Sequence, residues 1–264
     1  MNSAVVLFEA RGTAAIVTIN RPERRNALNA EVAEGIIAAL DRAEGEPAFR
    51  SVVLTGAGDR AFCAGGDLSK DRAGTPFEVN FSDPRNFVVS LLRRITDCRL
   101  PVVARVNGPA LAGGFGLLCA CDMAVALETA TFGTPESRIG IFPMMILPHM
   151  LRVIPVRPLM EMCICGEPID AAQALQMGLV NHVVPAAELD AKVDWLCKRI
   201  ERSSPTGIRL GKTALAAMRD MTLEQSLEYA QVMLQSMSST DEAAEGFRSF
   251  QEKRSPAWVS ARPK

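Results

Sequence analysis

The sequence has little histidine: two residues, His149 and His182, in 264. Seven cysteines include two Cys-x-Cys pairs, Cys119 with Cys121 and Cys163 with Cys165, but neither histidine stands at a familiar zinc-ligand distance from them. A resident metal is therefore not expected. Excess charge of either sign is missing too, with 29 Lys plus Arg against 30 Asp plus Glu. No global basic field gathers nucleic acid or anionic lipid, so any anion must be met by local groups. The longest uncharged apolar stretch, Gly108 to Cys121, is shorter than the roughly 18 to 20 residues that span a bilayer. The opening "MNSAVVLFEARG" carries no basic residue ahead of its apolar run, which Glu9 and Arg11 close, so it does not read as a signal peptide. An odd number of cysteines scattered through apolar runs suits reduced thiols packed as small hydrophobes. These absences lead us to expect a soluble, cytoplasmic protein with no membrane or nucleic-acid partner.

What is present is an alternation of strand and helix patterns. The segment "AVVLFEARGTAAIVTINRP" reads as a hairpin about Arg11-Gly12. Asn29 stands where it can cap a helix with Val32, Ile36, Ile37 and Leu40 on one face, ended by Gly45 and Pro47. Apolar strands "SVVLTG", "PVVARVNG", "DMAVAL" and "GLVNHVV" follow, with a second amphipathic helix through Phe87, Leu91, Leu92 and Ile95. The class is α/β. From Glu188 the pattern turns helical, with Leu189, Val193, Leu196 and Ile200 on one stripe and a new helix after Ser204-Pro205. We divide the chain into a core over 1–195 and a helical region over 196–264. Apolar helix faces in the latter fit either a subunit interface or a local core.

Three elements could carry chemistry. "GPALAGGFGLLCACD", residues 108 to 122, offers almost no reactive side chain, but a glycine-rich turn entering a helix aims backbone N–H groups outward with the helix dipole behind them. Gly113 and Gly114 could hold a phosphate or a developing oxyanion, or could serve only tight packing. A second glycine turn, "DRAFCAGGDLSK" at 59 to 70, follows a strand, and two such turns could converge two donors on one carbonyl oxygen. In "TFGTPESRIGIF", residues 131 to 142, Glu136 sits among Phe132, Pro135, Ile139, Ile141 and Phe142. A carboxylate against apolar walls suits proton transfer, because lost hydration favours its neutral form. The alternative is a surface pair of Glu136 with Arg138.

Taken in order along nearly the whole chain, "NRPERRNALN", "AFCAGGDLS", "VNGPALAGGFG", "CDMAVA", "FGTPES", "GLVNHVV" and "SFQEKRSPAW" resemble the enoyl-CoA hydratase/isomerase, or crotonase, family. The resemblance implies an α/β crotonase-like spiral of strand-strand-helix repeats with a C-terminal helical trimerisation region, assembled as a homotrimer or a hexamer of two trimers. It implies that the N–H groups of Gly66 and Gly113 form the oxyanion hole for an acyl-CoA thioester and that Glu136 transfers the proton. It also implies CoA contacts from Arg25 near the phosphates, Ala64, Asp67 and Leu68 around the adenine, and Phe250 and Lys253 from the C-terminal segment. No separate cofactor is implied, since coenzyme A arrives as part of the substrate.

One departure bears on the reaction. Hydratases of the family carry a second glutamate in the helix after the oxyanion glycines, where this sequence has Gly116. A single carboxylate suffices to move a proton from C2 to C4 of an enoyl thioester, which is isomerase chemistry. Hydration with water held by another group, among which Thr134, Ser137 and His149 are candidates, stays open beside it. So do dehalogenation, decarboxylation and C–C cleavage of an acyl-CoA, and CoA-ester binding without turnover. The apolar "IFPMMILPHML" suits a hydrocarbon acyl group.

Overall fold

The computed structural model describes residues 4–68, 82 and 85–260. Ser69 and Lys70, which close the second glycine motif, lie outside the described residues.

Strands β1 (Val6–Arg11) and β2 (Ala14–Ile19) form the expected antiparallel hairpin, turning at Gly12 with φ +59°. Helix α1 (Ala30–Gly45) starts where Asn29 accepts the Val32 N–H at 2.9 Å, a side-chain cap for one of the donors every helix start leaves unpaired. It buries Val32, Ile36 and Leu40. Next come β3 (Ser51–Gly56), α2 (Phe87–Thr96), β4 (Val102–Val106), the two-residue β5 (Ala110–Leu111), α3 (Gly113–Ala120), β6 (Met123–Leu127) and β7 (Thr131–Gly133). A proline-rich stretch gives a 3-10 turn at Pro135–Ile139, then α4 (Leu147–Met150) and α5 (Val156–Cys165). After β8 (Ile169–Asp170), α6 (Ala171–Gln176) and β9 (His182–Val184), the described chain is helical: α7 (Leu189–Glu201), α8 (Pro205–Met218), α9 (Leu223–Ser238), α10 (Asp241–Gln251) and α11 (Ala257–Ser260).

Two sheets organise these elements. A six-stranded sheet runs β1-β2-β3-β4-β6-β9, parallel throughout except for the hairpin, and a small one runs β5-β7-β8. Single bridges pair Cys63 with Ala110 and Leu28 with Gly66 beside the small sheet. Each spiral turn thus sends a strand through the large sheet, a short extended piece through the small one, and then a helix, as in β4, β5 and α3. Central parallel strands are covered on both faces, which is why "SVVLTG" carries the unbroken apolar run Val52, Val53 and Leu54 and is buried throughout, Ser51 and Thr55 included. Val52 and Leu54 face the main core under α1 and α2, while Val53, Val103 and Val125 face Leu189, Val193, Leu196 and Ile200 of α7. The division at 195 falls inside α7, whose apolar stripe lies on the large sheet.

Beyond α7 the contacts with the core are mixed: on α8, Ile208 packs against the second apolar cluster and Ala214 is buried, and polar bonds join them. Lys212 on α8 donates to the Leu100 carbonyl at 2.9 Å and to Asp122 at 2.5 Å. Helix α9 buries no residue completely, and Leu227, Val232 and Leu234 on it are exposed. Five cysteines are buried, Cys121 is half-buried and Cys165 is exposed, and all seven are free thiols. None of the helices among the described residues is long and apolar enough to cross a membrane.

Candidate active site

Three turns are tied side by side by backbone hydrogen bonds. The Leu111 N–H donates to the Cys63 carbonyl at 3.0 Å, and the Ala112 N–H donates to the Gly133 carbonyl at 2.9 Å. The first bond joins the two glycine motifs; the second joins them to the strand end that leads, three residues on, to Glu136. The sequence motifs meet because successive spiral turns place their short extended pieces in one small sheet.

The two glycine turns press closely together. Gly65 has φ +99°, and a Cβ there would lie 2.7 Å from the Ala112 Cβ and 3.4 Å from the Gly113 nitrogen. A Cβ on Gly113 would lie 3.7 Å from the Gly66 nitrogen. Ala112 itself holds φ +49°, an uncommon conformation for a residue with a side chain, and turns the chain into α3. Helix α3 makes its first internal bond from the Gly116 N–H to the Ala112 carbonyl at 3.1 Å, so the Gly113 N–H lies ahead of the ladder. Neither the Gly66 nor the Gly113 N–H has a hydrogen-bond acceptor among the described residues. Gly114 serves packing instead, since a Cβ there would meet the Cys63 carbonyl oxygen at 2.1 Å. The adjacent Cys63 thiol is fully buried and its pKa is pushed up to about 12, which leaves it an inert hydrophobe beside the turn.

Glu136 lies in the 3-10 turn, 9% exposed, with Oε2 buried and without a hydrogen-bond partner. Burial raises its pKa above the usual carboxyl value, opposed only by a hydrogen bond from its own backbone. The surface pair with Arg138 does not form, because Arg138 pairs with Glu167. The expected apolar wall is partly realised. Phe132 is fully buried, but Ile139 and Ile141 are exposed and with Met144 form an apolar rim beside the turn. Helix α5 supports the turn from behind, with the fully buried Thr134 hydroxyl donating to the Cys163 sulfur at 3.7 Å.

At the second-carboxylate position, sequence reasoning missed the occupant. A Cβ on Gly116 would lie 2.3 Å from Ile146 Cγ2 and 2.8 Å from Ile146 Cβ. Ile146, 3% exposed, fills the volume into which a side chain from this turn of α3 would project. Nothing in its sequence neighbourhood marks it out. Of the candidate water holders, Ser137 Oγ is buried without a partner, and His149 places Nε2 at 3.1 Å from the Thr96 hydroxyl while its Nδ1 is buried and unpaired. Burial, with the Arg152 charge, lowers the His149 pKa.

The expected CoA residues fall into two groups. Arg25, exposed and at φ +51°, accepts the Ala64 N–H on its carbonyl at 3.0 Å, and Asp67 and Leu68 continue the same turn, Leu68 being 61% exposed. Phe250 on α10 is 83% exposed, and Lys253 follows α10 at φ +53°. Backbone bonds hold the turn to its own neighbourhood, Ala64 to Arg25 and Asp67 to Leu28, and Lys253 to Phe250.

A family model described as enoyl-CoA hydratase/isomerase matches residues 9–261. A Thermus thermophilus relative, provisionally named an enoyl-CoA hydratase, is 36% identical over 249 residues, covering 93% of this chain and 97% of its own length. The (E)-benzylidenesuccinyl-CoA hydratase of Thauera aromatica is 32% identical over 97% of this chain and 99% of its own. Among solved structures, an enoyl-CoA hydratase from Mycobacterium smegmatis superposes with a TM-score of 0.90 at 28% identity, over 97% of this chain and 99% of that one. One from Bacillus anthracis gives 0.86 at 32%, over 96% and 98%.

Proposed function

The chain belongs to the enoyl-CoA hydratase/isomerase family, whose chemistry is hydration or isomerisation of acyl-CoA thioesters, and from that premise we propose that it works with one carboxylate, Glu136, as a double-bond isomerase. The observation that carries this reading is Ile146 seated where a side chain at Gly116 would go, which leaves no room on α3 for a second acid. Glu136 removes a proton from C2 of a 3-enoyl thioester, the electron pair moves toward the thioester oxygen, and the Gly66 and Gly113 N–H groups receive the charge. The same carboxyl returns the proton to C4, giving the 2-enoyl thioester with no water consumed. Preorganised donors of this kind contribute about 3 kcal/mol each to the transition state, and a base whose pKa approaches the working pH transfers protons both ways.

Hydration by the same carboxylate is the second reading, favoured by the hydratase names of the relatives. Matched 3-enoyl- and 2-enoyl-CoA substrates, followed by mass and absorbance, separate the two. The expected result is faster bond migration than water addition; dominant hydration, with migration slow or absent, overturns the isomerase reading. A paired substitution probes the space itself. Gly116→Glu alone collides with Ile146 and is expected to destabilise the fold by roughly 1–3 kcal/mol without gaining hydratase activity. Gly116→Glu with Ile146→Ala gives the new carboxylate room, and a measurable rate of water addition is expected only in the pair.

For substrate binding, the apolar rim of Ile139, Ile141 and Met144 suits a hydrocarbon acyl chain. Arg25, Ala64, Asp67 and Leu68 form the CoA side of the site, and Phe250 and Lys253 complete it from a neighbouring subunit. CoA enters with the substrate, and the proton shuttle needs no further cofactor. The assembly is a trimer or a dimer of trimers built on α9 and α10, where Leu234, Phe247 and Phe250 are at least 67% exposed in the single chain. Sedimentation at micromolar concentration is expected to show no more than a minor monomer; a clean monomer removes the assembly and the CoA role of Lys253 together. Seven free thiols suit a reducing compartment, which supports a cytoplasmic location.

A further inference from the structure

The direction of the Gly66 N–H depends on what holds its turn, because glycine is the residue least restrained by its own backbone. In this chain the restraint comes from residues 21 to 28. The Leu28 N–H donates to the Gly65 carbonyl at 2.7 Å, and the Asp67 N–H donates to the Leu28 carbonyl at 2.7 Å, so Leu28 grips the chain on both sides of Gly66. One arm of the Arg21 guanidinium donates to the Ala27 carbonyl at 2.7 Å, and the other donates to Asp67 Oδ2 at 2.7 Å. Arg21 and Asp67 are about 15% and 14% exposed, enough burial to keep bulk water from competing strongly for the pair.

Arg21 is itself anchored. Its N–H donates to Asn26 Oδ1 at 3.1 Å, and the fully buried Asn26, at φ +57°, donates from Nδ2 to the carbonyls of Ala57 and Ala61 at 3.0 and 2.8 Å. Asn26 thus holds the chain entering the glycine turn, Leu28 its middle and Arg21 its exit. A forked, planar cation is the side chain suited to spanning a carbonyl and a carboxylate at fixed angles, and lysine is not an equivalent.

We propose that Arg21 is a positioning residue for the reaction: through Asp67 it sets the aim of the Gly66 N–H at the thioester oxygen. The proposal rests on the oxyanion role of Gly66, and it gives the Asp67 side chain a structural partner besides its place next to the CoA site. Loss of the fork removes the side-chain restraint at the exit of the turn and leaves only the Leu28 backbone bonds, so the Gly66 N–H is aimed less tightly where charge develops, while the surfaces that bind CoA remain.

The test uses the Glu136→Gln protein, in which turnover is suppressed, with a saturated acyl-CoA labelled at the thioester carbonyl with carbon-13 and read by infrared spectroscopy. Binding is expected to shift the carbonyl stretch to lower frequency. Arg21→Met is expected to lose most of that shift, and Arg21→Lys part of it, at unchanged affinity for free CoA. In the catalytically intact protein the same substitutions are expected to lower kcat about 10- to 100-fold with little change in KM. A full shift in folded Arg21→Met overturns the proposal. Should that variant fail to fold, a full shift in Arg21→Lys does the same. No shift in the Glu136→Gln parent overturns the oxyanion role of Gly66 itself, a separate failure from that of the clamp.

Discussion

Glu136→Gln is expected to lower turnover by roughly 10² to 10⁴ while acyl-CoA binding survives, because the amide keeps the shape of the side chain and removes the base. Its pH behaviour carries a second signature. Burial raises the carboxyl pKa in the folded protein, so over the interval between the ordinary carboxyl value and the raised one the folded state keeps a proton that the unfolded chain has lost. The folded state then binds more protons, and its stability falls as pH rises through that interval and is constant above it. The acid limb of kcat/KM should accordingly lie above the ordinary carboxyl range in the wild type. A pH series of melting temperatures should show this component of decline in the wild type and lack it in Glu136→Gln. Wild-type turnover in the variant would exclude Glu136 as the proton carrier and with it the one-carboxylate mechanism.

Gly113→Val is expected to cut kcat about a hundredfold or more, the cost found when one oxyanion donor is lost. Its Cβ would lie 3.2 Å from Leu28 Cδ1, the flexible end of a side chain, and 3.7 Å from the Gly66 nitrogen, so the added methyl groups crowd the space between the two donors. The fold should tolerate this with a modest loss, since Gly113 does not occupy the left-handed region and opens a helix. Gly114→Ala is the contrast, because its Cβ would strike the Cys63 carbonyl at 2.1 Å and must move backbone. Denaturant unfolding and turnover measured on both variants should separate them, with Gly113→Val folded and slow and Gly114→Ala strongly destabilised. Full turnover in a folded Gly113→Val would reduce Gly113 to a packing role.

Much of the architecture was legible because local patterns and tertiary burial agree. Asn29 caps α1 as its position before an apolar-periodic run predicts, and the stripe Leu189, Val193, Leu196, Ile200 is buried as a unit. Glycine motifs and Glu136 could be found by residue type, since a turn rich in glycine offers backbone donors and an isolated acid among apolar residues is conspicuous. Ile139 and Ile141 show the limit of that approach: their residue type marks them apolar, yet they are exposed in the single chain, because the 3-10 turn and Gly140, at φ +84°, turn that segment outward.

The hairpin, the main strands of the large sheet, helices α1, α2 and α7, the Asn29 cap, the near-neutral charge and the absence of a membrane-length apolar helix segment follow from the sequence, because each depends on residues near one another in the chain. The filling of the Gly116 space by Ile146, the grip of Leu28 and Arg21 on the Gly66 turn, and the burial of Glu136 Oε2 without a partner were decided only by the tertiary structure. Each joins segments from different turns of the spiral, where volume and hydrogen-bond direction are set by packing between elements and leave no periodic trace in either segment alone.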